Sequence, residues 1–323
     1  MKLRDAVKRG RVDLAQPEIA GASKEELTQW LRLVSGDFHT IPKKPAHVEL
    51  AKALIDAGAL PDEEMIHQAS RSGYLDTTDL LANNLPGESI YAAAALGHSA
   101  QVEHYLKSDQ ANAERTDLNG RTALHFCCAS ALGKQDIEIR DALSKTASIL
   151  IDGGSPPDPE SNCCGLDSVT PLFHACWTSG DLEIVLALLK RGAEPTERCL
   201  WAAVGHFQRH GNGSYGIAEE LLNRGIDINH FDASGRTMLH AFAAHEDERG
   251  VRWLLEHGAD VGARDTSGMT PLHVAFRRNT GVRTVGALLE HGADPKLRDN
   301  DGKTPLDLAS EKSRHKIVKL LEN

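Results

Sequence analysis

The chain has 323 residues, 41% hydrophobic, 25% charged and only 5% aromatic, with a formal net charge of −10. The hydrophobic and charged fractions are ordinary for a soluble protein. No run of about 18 apolar residues is present, so no hydrophobic helical span of a bilayer is expected.

The chain opens on Met1 to Arg9, charged throughout and lacking the apolar centre of a signal peptide, so a cytoplasmic start is the simplest expectation. Leu3 to Arg9 and Val12 to Ile19 read as a worn helix pair with Gly10 between them. Glu25 to Val34 and Ala46 to Asp56 form the next pair, ending at Gly58-Ala59, with a loop over 36–45 that holds two prolines. Two shorter units follow. Ile66 to Gly73 leads to Leu80-Leu81, and Ile90 to Gly97 leads to Val102 through Leu106. Their period is about 26, which leaves no room for an extended finger between units.

From residue 115 the pattern sharpens. Gly120-Arg-Thr-Ala-Leu-His125, Val169-Thr-Pro-Leu-Phe173, Gly235-Arg-Thr-Met-Leu-His240, Gly268-Met-Thr-Pro-Leu-His273 and Gly302-Lys-Thr-Pro-Leu-Asp307 are copies of one motif. In the clearest copy Thr270-Pro271 starts a helix, because proline at the first helical position loses no needed hydrogen bond and presets φ. Leu272 and Ala275 share a face, and a second helix turns Val285, Leu288 and Leu289 inward before stopping at Gly292. Neither helix is long enough to stand alone in water, so neighbouring copies must cover them. The stopping glycines Gly192, Gly225, Gly258 and Gly292 are spaced by 33, 33 and 34 residues.

A period near 33 carrying T-P-L-H-x-A resembles the ankyrin repeat. The resemblance implies an all-α solenoid of about nine stacked helix pairs, a single domain over 1–323 with degenerate repeats over 1–114 and well-matched ones over 115–323. Insertions are expected at 133–141, 153–168 and 207–216. Such insertions go to loops on one face, often the binding face, or are neutral drift in surface-loop length. The last unit, with Ser310 to Lys316 polar throughout, reads as a C-terminal cap.

Residue types with chemical potential have repeat-defined places. Cys127, Cys128, Cys176 and Cys199 fall where helices need small packing residues, and reduced thiols are expected. The adjacent Cys163-Cys164 pair lies in an insertion without zinc-ligand spacing. His125, His240 and His273 hold the motif histidine, which in ankyrin proteins hydrogen-bonds threonine and backbone groups between layers. His257 and His291 sit at helix C-termini. Gly211-Asn-Gly213 lacks the following Gly-Lys-Ser/Thr of a phosphate loop. No active site, cofactor or metal is expected.

Charge is uneven. Residues 230–323 hold 14 basic and 14 acidic residues, so of the 36 and 46 in the chain, 22 and 32 lie in residues 1–229. The ankyrin groove is lined by finger residues before the threonine and by first-helix ends. Carried onto this chain, those places include Arg121, Arg236, Met269 and Lys303 in fingers, Trp177, His245, Arg277 and Arg278 at helix ends, and Arg264 and Arg298 at finger strands. The C-terminal half of the groove is thus basic on an acidic body. That pattern argues against general nucleic-acid binding and favours an acidic peptide or protein surface. Trp177 is either an interface anchor or a ring folded onto the insertion beside Leu166.

The resemblance and these residues together imply a non-enzymatic protein-binding module, cytoplasmic and monomeric, binding no membrane. Two rivals stay open. One is an inhibitor or scaffold of a specific enzyme, such as a bacterial effector, acting through the inserted loops. The other is an enzyme using Cys and His near the insertions.

Overall fold

A computed structural model describes residues 11–36, 45–134, 136–163, 166–205, 214–245, 247–278 and 281–308. The expected helix over Leu3–Arg9, most of the 36–45 loop, Cys164, most of the 207–216 insertion and the polar cap at Ser310–Lys316 lie outside the described residues. The chain divides into two compact units, Met1–Glu194 and Pro195–Asn323.

The first unit is a stack of helix pairs. Helix α1 (Val12–Ile19) is followed by pairs α2 (Lys24–Ser35) and α3 (Pro45–Asp56), α4 (Glu63–Arg71) and α5 (Leu75–Asn83), and α6 (Ile90–Leu96) and α7 (Ser99–Ser108). Then come α8 (Ala123–Ala129) with α9 (Ile137–Asp152), and α10 (Pro171–His174), continued by a π-turn over Ala175–Ser179, with α11 (Leu182–Lys190). Side-chain caps set the starts. Ser23 and Glu26 form a capping box on α2, Asp62 accepts from the Met65 N–H at α4, and Ser89 accepts from the Ala92 N–H at α6. First helices pack on first helices, α4 on α6 on α8 on α10, and second on second, α3 on α5 and α7 on α9 on α11. Leu31, Leu50, Met65, Ile66, Leu124, Phe126 and Leu150 fill the layers with no exposure above 0%.

Two insertions take forms that their composition hid. Among the described residues of the 133–141 insertion, 137–141 are helical. Asp136 accepts from the N–H groups of Glu138 and Ile139, so α9 begins at Ile137 and residues 137–141 become its first turns. In 153–168, β1 (Ser161–Cys163) pairs antiparallel with β2 (Leu166–Val169), Ser161 opposite Val169. The Asn162 N–H also donates to the Asn119 carbonyl, tying the hairpin to the finger before α8.

The second unit holds α12 (Glu197–Val204) with α13 (Tyr215–Asn223), α14 (Met238–Ala243) with α15 (Glu248–Glu256), and α16 (Pro271–Arg278) with α17 (Val282–Glu290), then a 3₁₀ turn over Pro305–Leu308. Eight complete helix pairs are thus described. Within this unit α14 packs on α16 and α15 on α17. The expected structural histidines are in place. His240 Nδ1 accepts from the Thr237 N–H at 3.2 Å, and its Nε2 lies 3.0 Å from the Met269 carbonyl of the next repeat. His273 repeats this with Thr270 and the Lys303 carbonyl, and His125 in the first unit with Thr122 and the Val169 carbonyl. Because Nδ1 accepts, the ring is neutral with its proton on Nε2, donating to the next layer.

Candidate partner-binding surfaces

The fingers share one local design. Asp117, Asp232, Asp265 and Asp299 each take two backbone N–H groups on Oδ1, from the residues two and four further on. The residue between those donors is Gly120, Gly235, Gly268 or Gly302, at φ from 71° to 77°. Only glycine takes that conformation freely. At Gly268 an added Cβ would also lie 2.9 Å from the Asn300 backbone nitrogen. The aspartates are therefore structural, a role missed in the sequence reading although D-x-x-G-x-T spells it four times.

In the second unit these turns display cations. Arg264, Arg277, Arg278, Arg298, Lys303 and His245 are exposed. Arg264 Nη2 donates to the Arg298 carbonyl at 2.6 Å, and Arg298 Nη1 to the Gly302 carbonyl at 2.6 Å, which fixes both guanidiniums on adjacent fingers. Arg236 is half-buried with Nε 3.4 Å from the buried Asp265 carboxylate. Met269 departs from the groove assignment. It is 4% exposed, with its sulfur 3.6 Å from Arg277 Nη1, so it supports the end of α16 rather than facing outward. Since each finger aspartate spends one oxygen on backbone donors, less of its charge opposes these arginines.

Arg121 also departs from the assignment. It is 1% exposed, held by Asp117 at 2.5 Å and by Glu64 of α4 at 2.6 Å, with its guanidinium 4.8 Å over the Phe126 ring. A cation so enclosed is structural cement between repeats. Glu64 also accepts from Gln68, which accepts from Arg71, and the Arg71 guanidinium lies 5.5 Å over the ring of Trp177. Trp177 itself is half-buried, stacked at 6° on His174 and 5.4 Å from Phe173. Ring and cation cover one another, so the exposed face expected of an anchor is reduced. Beneath lie His67, His125 and His174, with centroids 5.7 Å (67 to 174) and 6.3 Å (125 to 174) apart. Burial drives the pKa of His67 and His174 well below the usual imidazole value and that of His125 to about 4, aided by Arg121 for all three and by Arg71 for the first two.

Four cysteines, Cys127, Cys128, Cys176 and Cys199, are buried free thiols, and burial raises the pKa of the first two. Among the described residues no group of three or more His, Cys, Asp or Glu is placed to hold a metal ion. Nor, among them, is any helix long and apolar enough to cross a membrane.

The geometry accords with the comparisons. A family model described as "Ankyrin repeats (3 copies)" matches residues 89–199, 201–299 and 263–323. The chain belongs to the ankyrin-repeat family. Among relatives, it is 28% identical over 188 residues to the human SH3 and multiple ankyrin repeat domains protein 2, covering 57% of this chain and 9% of that protein. It is 33% identical over 195 residues to the ankyrin repeat protein nuc-2 of Neurospora crassa, covering 59% and 16%. Over these matches the chain spans a small part of its relatives' length. The human ASB11 ankyrin repeat domain superposes with a TM-score of 0.58 at 26% identity, over 72% of this chain and 98% of that one. The ankyrin repeat domain of Bcl-3 does so at 0.54 and 23%, over 74% and 99%, which speaks to fold alone. The ankyrin fold is generally a non-enzymatic scaffold for protein–protein interaction, and the all-α repeat solenoid expected from the motif is the fold found.

Proposed function

We propose that this ankyrin-repeat chain is a protein-binding module whose second unit takes an acidic segment of its partner. The observation that carries the reading is the set of exposed cations on successive fingers and on the end of α16: Arg264, Arg298, Lys303, Arg277 and Arg278. Two of the five are fixed by hydrogen bonds to finger carbonyls. Fixed guanidiniums meet carboxylates with less ordering cost than free ones. In this reading the chain is a cytoplasmic monomer without catalytic, nucleic-acid or membrane activity, and its selectivity is charge and shape along the fingers.

The test is fluorescence anisotropy of the full chain with a labelled dodecapeptide of Glu-Ser-Leu repeats and with its Lys-Ser-Leu counterpart. The reading expects Arg277→Glu with Arg278→Glu to weaken the acidic peptide at least tenfold, equal to about 1.4 kcal/mol. The control Lys190→Glu with Arg191→Glu, exposed in the other unit, should change it less than twofold. Equal loss in both variants would mean that the peptide follows net charge, and the assignment to these fingers would fail.

A further inference from the structure

The residue before each finger aspartate has a fixed place in the turn. In two fingers its backbone bridges the threonine that starts the next helix, Thr116 with Thr122 and Phe231 with Thr237. In the second unit the three residues at this place are Phe231, Arg264 and Arg298. The turn needs no ring there, since the other fingers close with threonine or arginine. Phe231 is nevertheless 66% exposed, the only exposed Phe, Tyr or Trp among the described residues. Beside it a cavity of about 280 Å³ opens between its own finger and the next, with Phe231, Thr237, Ala263 and Arg264 in the walls. Two polar residues of the same walls are engaged by local backbone. Asn229 accepts from the Asp260 N–H and donates to the Gly258 carbonyl, and Asp260 accepts from the Gly262 N–H. An exposed ring at the mouth of such a cavity suits an aliphatic side chain.

The second, independent observation is the state of the two arginines. Arg224, Arg236 and Arg252 of the same unit each pair with a carboxylate. Arg264 and Arg298 differ: the hydrogen bonds that fix them go to carbonyls, and among the described residues neither is ion-paired with a carboxylate. A guanidinium held by neutral acceptors keeps its full charge and further N–H donors for an incoming anion.

Spacing ties the three together. Their fingers lead into α14, α16 and the 3₁₀ turn at 305–308, which pack on one another in that order. Packed helices lie about 8–10 Å apart, and an extended chain rises about 3.3 Å per residue. One finger therefore matches three residues of an extended ligand. We infer that Phe231, Arg264 and Arg298 read an extended partner segment with an aliphatic side chain at one position and carboxylates three and six residues along. The aliphatic group sits on Phe231 and each carboxylate on one arginine. The inference rests on the reading of the chain as a module for an acidic segment, and adds to it a register and an apolar anchor.

The experiment is fluorescence anisotropy of the full chain with labelled decapeptides of one composition: one leucine, two glutamates and otherwise serine. One peptide has leucine second and glutamates fifth and eighth, another is its reverse, and in a third the glutamates adjoin the leucine. One of the two spaced peptides is expected to bind at least tenfold more tightly than the clustered one. Phe231→Thr should weaken that peptide at least fivefold, yet change its leucine-to-serine analogue less than twofold. Val282→Thr, exposed at the start of α17, should change neither more than twofold. These are surface substitutions, and circular dichroism confirms folding. Equal affinity for the spaced and clustered peptides would overturn the inference and leave the module reading standing. Equal weakening of the leucine and serine peptides by Phe231→Thr would do the same. If neither the spaced peptides nor the Glu-Ser-Leu dodecapeptide bound more tightly than the Lys-Ser-Leu one, both readings would fail. A concentration-dependent dimer in sedimentation velocity, abolished by Phe231→Thr, would assign the row to a second copy and overturn the claim of a foreign partner.

Discussion

At the scale of single residues, the histidines separate into two kinds of work. His125, His240 and His273 each join a threonine in their own repeat to a carbonyl in the next, and need Nδ1 unprotonated to accept the threonine N–H. His67 and His174 are fully buried and held neutral by burial and by the nearby Arg71 and Arg121. The folded-state pKa values are lowered, so below the unfolded value of about 6.5 the unfolded chain binds protons that the fold refuses. Stability is therefore complete above about pH 6.5 and declines as the pH falls, for His125 down to about 4. Denaturant midpoints for the first unit should drop between pH 7.5 and 4.5, and His174→Phe should flatten that drop. A midpoint independent of pH in the wild type would contradict the neutral cluster. The motif histidines were legible from T-P-L-H alone. His174 was not: in its repeat Phe173 takes the motif place, and only the fold shows which rings His174 meets.

At the scale of the element, the finger turn decides what its neighbours can do. Asp117 closes its turn and neutralises Arg121, which is nearly sealed from water. Asp117→Ala would open the turn and leave a buried cation short of one partner, at a cost of about 3 kcal/mol or more. Arg121→Met, which removes the buried charge and keeps the packing, should cost clearly less. Urea unfolding of both variants checks this order, and the reverse order would sink the account of Arg121 as a structural ion. The sequence placed Arg121 at a groove position because repeat alignment fixes the backbone, but its burial depends on Glu64, 57 residues earlier. The same limit applies to Met269, which lies under Arg277. The start of α9 at Ile137 was more accessible, since Asp136 followed by Glu138 is an N-cap with an acidic first turn.

At the scale of the whole chain, repeat period and glycine stops identified the all-α ankyrin solenoid, because each repeat must bury its face on the next whatever its surface carries. The proposed binding surface was only partly readable. Arg264, Arg277, Arg278, Arg298 and Lys303 are exposed, whereas Arg236 is half-buried against Asp265, a contact with the next finger that the motif position alone does not show. The central claim is that this chain works by holding another protein, in part through those cations. Its most direct test is affinity capture from a lysate of the source cells, read by mass spectrometry, with three baits. These are the wild type, Arg277→Glu with Arg278→Glu, and Lys190→Glu with Arg191→Glu. The account predicts at least one protein retained by the wild type and the Lys190/Arg191 variant but lost from the Arg277/Arg278 variant. An identical set of captured proteins on all three baits would contradict it.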